Sequence, residues 1–297
     1  DKRLAVGSLA GAGTLGFLIP PSIPMIVYGV VADVSILELF IAGLVPGLLL
    51  AALFMGWIAF RAWREPSLVP PMEPAIPRTE ALKALGNLVP IVFLITFVMG
   101  SLYFGFASIT EAAAIGVLGA LLVALAQRTL SWMGLWQALL GTVRTCSMIG
   151  LILVGALFLS KAMARLGLPA DVANEIEAWG LHPYMLIFVL LLFYLALGCV
   201  LDGLSAIVMT LPVTLPLAVA AGFDPIWYGV FLIITIEMAQ ITPPVGFNLF
   251  VIQGLTKDGI FRIAAWAWPF CVIMMVFTVL ITLFPEIVTF LPHSTRG

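Results

Sequence analysis

Charged residues are scarce in this chain: Asp, Glu, Lys and Arg make up 9% of its 297 residues, against about a quarter in a soluble globular domain. With 63% hydrophobic residues and a mean hydropathy of +1.19, that scarcity excludes an ordinary water-soluble fold. The short alternating apolar and polar segments of a membrane barrel are missing too. A net charge of −2 and the lack of a dense Lys/Arg cluster argue against nucleic acid as a partner. The three cysteines, Cys146, Cys199 and Cys271, are scattered through apolar surroundings without metal-ligand spacing and read as packing residues. The two histidines, His182 and His293, have neither ligand spacing nor a nucleophile beside them, so the chain does not read as an enzyme and calls for no cofactor. No filter-like repeat or charge ring points to a channel.

What fills the chain instead is apolar runs long enough to cross a bilayer as helices, at 36–60, 88–106, 111–126, 146–160 and 264–284. The expected fold class is an all-α polytopic membrane protein. Two further runs carry paired prolines, Pro20-Pro21 and Pro243-Pro244, 223 residues apart. Proline lacks the backbone N–H and clashes with the preceding turn, so breaks are expected at 18–22 and 241–245. The same overlay sets Asp1 on Asp224 and Pro46 on Pro269. Broken spans at matching places in two repeats mark substrate and ion sites in secondary transporters.

Charge placement supplies direction. Lys2, Arg3, Arg61, Arg64, Arg78 and Lys83 assign their segments to the cytoplasm, and the turn ADVSILE between the first two groups holds no base. In the second half the order reverses: the start at 222–227 has no base, and the later turn carries Lys257 and Arg262. The halves are therefore expected to form an inverted-topology repeat. The segment 161–182, with Lys161 and Arg165 before Asp171, Glu175 and Glu177, follows the rule less regularly. A five-proline connector, EPSLVPPMEPAIP, reads as an extended linker. Surface helices are expected at 78–86 and 131–144.

The chemistry concentrates around 184–221, where apolar stretches flank Asp202-Gly203-Leu204-Ser205 and suggest a re-entrant hairpin. A tip of carboxylate, hydroxyl and approachable backbone offers hard oxygen ligands, and the break at Thr242-Pro243 frees carbonyls and adds a hydroxyl. A small monovalent cation such as Na⁺ fits that inventory. The alternative is that Asp202 only caps the following helix and the prolines only kink the span. Around the first break, Gly11, Gly13 and Gly16 bracket Thr14 and Pro20-Pro21-Ser22 follows, which serves either close ligand approach or close helix packing. Glu237, an ionisable group in an apolar run, is a candidate for the ion or substrate site. Asn248 either contacts substrate or satisfies freed carbonyls. Glu111 is expected to serve a helix start.

The segments GTLGFLIPPSIPMIVYG, ADVSILELFIAGLVPGLLL, SITEAAA, LDGLSAIVMTLPVTLPL, GFDPIWYGV and ITPPVGFNLFVI together closely resemble the large membrane subunit, the DctM-like family, of tripartite ATP-independent periplasmic (TRAP) transporters. The resemblance covers essentially the whole chain and is that of a C-terminal portion, with the first spans and first hairpin expected to lie outside it. It implies an elevator-type, Na⁺-coupled importer of organic anions, usually carboxylates, in a bacterial or archaeal inner membrane. Its implied partners are a small four-helix membrane subunit and an extracytoplasmic substrate-binding protein. The family's sodium-site segments map onto Gly13, Thr14, Gly16 and Pro20, and onto Asp202, Gly203, Ser205, Thr242 and Pro243. Ser22, Glu237 and Asn248 remain as substrate-site candidates. Residues 1–35 are then the second part of a first transport repeat, 36–182 scaffold helices with linker and arms, 183–260 the second hairpin and broken helix, and 261–297 a scaffold helix and tail. A stand-alone divalent-anion/sodium symporter is the alternative within the same chemistry.

Overall fold

The computed structural model describes residues 2–68, 78–167, 171, 174, 182–243 and 246–294. Among them every α-helix or 3-10 turn is helical and no strand occurs. The helices are α1 (Lys2–Leu18), α2 (Ile23–Ala32), α3 (Ile36–Arg64), α4 (Arg78–Tyr103), α5 (Ile109–Ala126), α6 (Trp132–Arg165), α7 (Pro183–Gly198), α8 (Gly203–Ala220), α9 (Pro225–Gln240), α10 (Phe247–Thr256), α11 (Ile260–Leu283) and α12 (Glu286–Ser294). Helices α3, α5, α6, α8 and α11 are each long and apolar enough to cross a membrane, and α1 with α2 adds a sixth span if the bent pair counts as one. The chain is a multi-pass membrane protein.

Two compact units form, one from 1–70 and 151–297 and one from 71–150. In the smaller unit α4 packs on α5, with Gly116 set against Val98 and Gly119 against Leu94. Small residues let two backbones approach where lipid gives no hydrophobic drive for association. Ser108 and Glu111 close a capping box at the start of α5: Ser108 donates its N–H to Glu111 Oε2 at 2.8 Å and accepts from the Glu111 N–H at 3.4 Å. Glu111 thus serves the helix start, as expected, with Ser108 as its capping partner.

Two expected surface helices are corrected. Residues 78–86 run without a break into the apolar part of α4, and 131–144 is the opening of the 34-residue α6. Nothing in either stretch forces a stop: Pro90 removes only one intrahelical N–H, and the glycines of α6 weaken a helix without ending it. The linker residues 69–77 lie outside the described residues.

The larger unit is organised around α9, in which all residues from Ile226 to Gln240 are buried. A helix apolar all round belongs in an interior. Helices α7, α8, α11, α1, α3 and α2 all pack on it. Asp224 caps it by accepting from the N–H groups of Ile226 and Trp227 at 2.7 and 3.0 Å. The Tyr28 hydroxyl donates to the Pro225 carbonyl at 2.6 Å, and Trp227 Nε1 donates to the Ile281 carbonyl at 2.8 Å, which fixes α2 and α11 to the same helix start.

Helix order repeats along this unit. A 17-residue α1 and 10-residue α2 precede a long α3 that contains Pro46; a 16-residue α9 and 10-residue α10 precede a long α11 that contains Pro269. Both short helices end on a left-handed residue, Asp33 at φ 54° and Lys257 at φ 58°.

Candidate functional site

Helix α1 stops at Leu18 and α2 resumes at Ile23 with a bend of 40°, so the first break falls at the expected prolines. The second break separates α9 from α10. Pro244 and Val245, part of the expected break, lie outside the described residues. At the end of α9 the ladder tightens, with the N–H groups of Ile241 and Thr242 bonding to the Met238 and Ala239 carbonyls. The Thr242 hydroxyl donates to the Met238 carbonyl at 2.7 Å and lies 3.6 Å from Cys271 Sγ. Where the chain turns into α10, Gly246 presses against the Gln240 and Thr242 carbonyl oxygens. A Cβ there would sit 2.6 and 2.9 Å from them. Only glycine permits that approach, and its result is two carbonyl oxygens converging on one point of the break.

Helices α7 and α8 form the expected pair around residues 199–202, and they pack on each other and on α9. At 16 residues α7 is short for a span, while α8, at 18, reaches spanning length. Their junction meets the second break directly. Gly198 abuts Ala239, Gly203 lies against Gln240 and Ile236, and Cys199 Sγ is 3.6 Å from the Pro243 carbonyl. A Cβ on Gly203 would come within 2.5 Å of Gln240 Nε2, so this contact exists only because a glycine follows Asp202. Asp202 itself is exposed and caps α8, its Oδ2 accepting from the Ser205 N–H at 3.1 Å. The capping duty is therefore present, and it leaves the other carboxylate oxygen outside that bond.

The first-half candidates are arranged differently. The Thr14 hydroxyl donates to the Gly11 carbonyl at 2.6 Å and points toward Met274 Sδ of α11, 3.8 Å away. Gly11 packs on Phe270, whereas a Cβ added at Gly13 would come only to 4.0 Å from Asn248 Nδ2, and Gly16 has open space beside it. Pro20 is buried, and Ser22 caps α2: its hydroxyl donates to the Phe17 carbonyl and accepts from the Met25 N–H at 3.4 Å. The structure thus sets Gly13 on the side of Asn248 and Gly203 on the second break, while Ser22 bonds within its own segment and Thr14 both within it and toward α11.

Glu237 is enclosed, 1% exposed, with Oε1 accepting from Gln240 Nε2 at 3.4 Å and no hydrogen-bond partner on Oε2. Cys199, expected only to pack, is the contact residue a reading of motifs passes over, and no signal in the sequence marks it. Tyr194 is a further addition, its hydroxyl within 2.6 and 2.8 Å of Thr210 and Thr214, which ties α7 to α8 below the tip. Among the described residues no three His, Cys, Asp or Glu side chains gather as a metal site. The oxygen-rich surfaces here are carbonyls and hydroxyls, the donor set of a hard cation.

Comparison with known proteins agrees with this architecture. The family profile of the tripartite ATP-independent periplasmic transporter, DctM component, matches residues 1–287. The chain is 32% identical to a C4-dicarboxylate TRAP transporter large permease protein of Rhodobacter capsulatus, covering 98% of this chain and 69% of that protein. It is 33% identical to the Pseudomonas aeruginosa C4-dicarboxylate large permease, over 98% of this chain and 68% of that protein. It is 29% identical to a sialic acid TRAP transporter large permease protein of Vibrio cholerae, over 99% of this chain and 68% of that protein. A helical membrane protein with a broken span, a hairpin seated on a second break, and this match along nearly its whole length belongs to the DctM family of TRAP transporter large permeases.

Proposed function

We propose that this chain is the translocating part of a Na⁺-coupled importer of an organic anion of the carboxylate class, working with a small four-helix membrane subunit and an extracytoplasmic binding protein in the inner membrane. The observation that carries the reading is the seating of the α7–α8 tip on the second break, beside the converging Gln240 and Thr242 carbonyls. A cation there takes up oxygens that the interrupted helix leaves without its own N–H partners, each of which costs several kcal/mol in a bilayer. Asp202 supplies the opposite charge. The N-terminus of α10 carries no side-chain cap at Gly246 and presents its N–H groups at the same place, which suits the carboxylate of a substrate. The named substrates of the relatives, C4-dicarboxylates and sialic acid, share that carboxylate.

The repeated helix order and reversed basic flanks support an inverted repeat whose two halves carry the site past a fixed scaffold, an elevator. Hairpin α7–α8 acts as a re-entrant pair in this reading. A full-length assembly in proteoliposomes, given its binding protein and a carboxylate panel, tests the proposal. Uptake is expected in a sodium gradient and not in choline. Equal uptake in both sinks the coupling, and sodium-driven uptake without any binding protein favours the stand-alone symporter.

A further inference from the structure

Three helix ends of the larger unit gather on its base-rich side: the start of α1 with Lys2 and Arg3, the end of α3 with Arg61 and Arg64, and the start of α11 with Arg262. Lys2 Nζ lies 2.7 Å from Asp258 Oδ2, which ties α1 to the turn before α11. Between these ends opens a cavity of about 300 Å³, lined by Arg3, Trp57, Arg61, Glu65, Trp266 and Phe270 among others. Phe270, one of the lining residues, meets Phe54 edge to face, 5.2 Å between ring centres. Apart from Phe270, on which Gly11 packs, the site described above uses none of these residues.

We propose that this cavity binds the phosphate headgroup of an anionic phospholipid. Two arginines, Arg3 and Arg61, line one cavity, and a guanidinium fork matches phosphate oxygens in pairs. Arg61 is held by Glu65 through two contacts of 3.2 Å, which orient the guanidinium and engage two of its five N–H donors. Trp57 and Trp266 are the aromatic rings expected at headgroup depth. From Arg61, steps of four residues run along one face of α3 through Trp57 to Leu53 and Leu49. Those leucines are 45% and 42% exposed, so an apolar track leads from the cavity toward the bilayer middle for an acyl chain. Basic pockets between spanning helices on the cytoplasmic side are where anionic headgroups bind. The site straddles α1, α3 and α11, so the lipid contacts both the first broken span and the long helices beside it.

The full-length protein, purified in detergent and mixed with phosphatidylglycerol or phosphatidylcholine, can be read by native mass spectrometry. Phosphatidylglycerol is expected to be retained about tenfold better. The double variant Arg3→Gln with Arg61→Gln brings it to the phosphatidylcholine level, while Arg64→Gln leaves retention unchanged. Glu65→Gln, which removes the competing carboxylate, raises phosphatidylglycerol retention, a gain that a misfolded variant cannot mimic. Equal retention of the two lipids, or a double variant that retains phosphatidylglycerol fully, overturns the proposal. Displacement of the lipid by millimolar inorganic phosphate overturns it as well, since the site then takes a free anion.

Discussion

Helices α1 and α9 begin 223 residues apart, each preceding a break and a ten-residue helix, yet their surroundings are opposite. In α9 every residue from Ile226 onward is buried; in α1 Ala5, Leu9, Ala12, Gly13 and Gly16 form an exposed stripe. Shifted by 223, that stripe falls on Tyr228, Leu232, Thr235, Ile236 and Ala239, all buried. Ile236 and Ala239 are the residues on which Gly203 and Gly198 of the hairpin sit. The face that receives the hairpin on one helix is therefore the open face on the other. Small residues on α1 leave the same room that Ala239 leaves on α9. The comparison teaches that the bareness of α1 is patterned, since its open face matches the face of α9 that the hairpin covers.

The largest expected effect comes from filling the occupied side. Gly198→Val places atoms where Ala239 already stands, and Gly203→Val does so against Gln240 and Ile236. Overpacking of this kind costs about 1–3 kcal/mol, roughly fivefold to a hundredfold in the population with the hairpin packed on α9. Uptake by the full assembly should fall by that order for each. The matching change on α1, Gly16→Val, meets open space in this chain. In the full-length protein it should lower uptake about as much as Gly198→Val if a hairpin covers the stripe. Normal uptake by Gly16→Val would break the proposed symmetry and leave α1 facing lipid.

A middle-sized effect separates the two duties of Asp202. Asp202→Ala removes the cap on α8, a loss of about 0.5–2 kcal/mol in stability, together with the charge. Asp202→Asn keeps a capping oxygen and removes only the charge. Thermal unfolding should show Asp202→Asn near wild type and Asp202→Ala lowered. Sodium titration of uptake should show both weakened, by about tenfold. If Asp202→Asn keeps wild-type sodium affinity, capping is the whole role of this residue.

Much of this architecture was legible in the residues. The proline pairs located both breaks because loss of an N–H is a local event that needs no knowledge of neighbours. The Asp202 cap, as one of two readings, and the helix-start duty of Glu111 were legible for the same reason, whereas its Ser108 partner was not. What escaped were contacts made by the fold at a distance: Gln240 under Gly203, Cys199 on the Pro243 carbonyl, and Thr14 turned toward α11. The direction of a side chain on a helix apolar all round leaves no periodic trace, so no pattern in α9 could show which residue meets the hairpin. Helices α4 and α6 ran longer than expected because amphipathic character marks where a helix enters an interface, not where it stops.

The smallest expected effect tests the comparison at single hydroxyls. Thr14 and Thr242 both bond a carbonyl of their own helix and both look toward α11, at Met274 and Cys271. Their carbonyl partners differ. Gly11 lies inside α1, where the regular ladder already serves it, so the Thr14 hydroxyl adds only a second bond. Met238 lies where α9 frays: the Thr242 N–H has moved to the Ala239 carbonyl, which leaves the Met238 carbonyl a backbone bond of 3.3 Å from the Ile241 N–H, and the hydroxyl at 2.7 Å reinforces it. Thr242→Val should therefore loosen the break and shift sodium half-saturation of uptake by about fivefold, on the scale of one hydrogen bond of about 1 kcal/mol. Thr242→Ser, which keeps the hydroxyl, should restore it. Thr14→Val should stay within about twofold by the same reasoning. An equal shift in both valine variants would mean that the first broken span also lends its hydroxyl to the cation, and the two halves would then be alike in chemistry as well as in helix order.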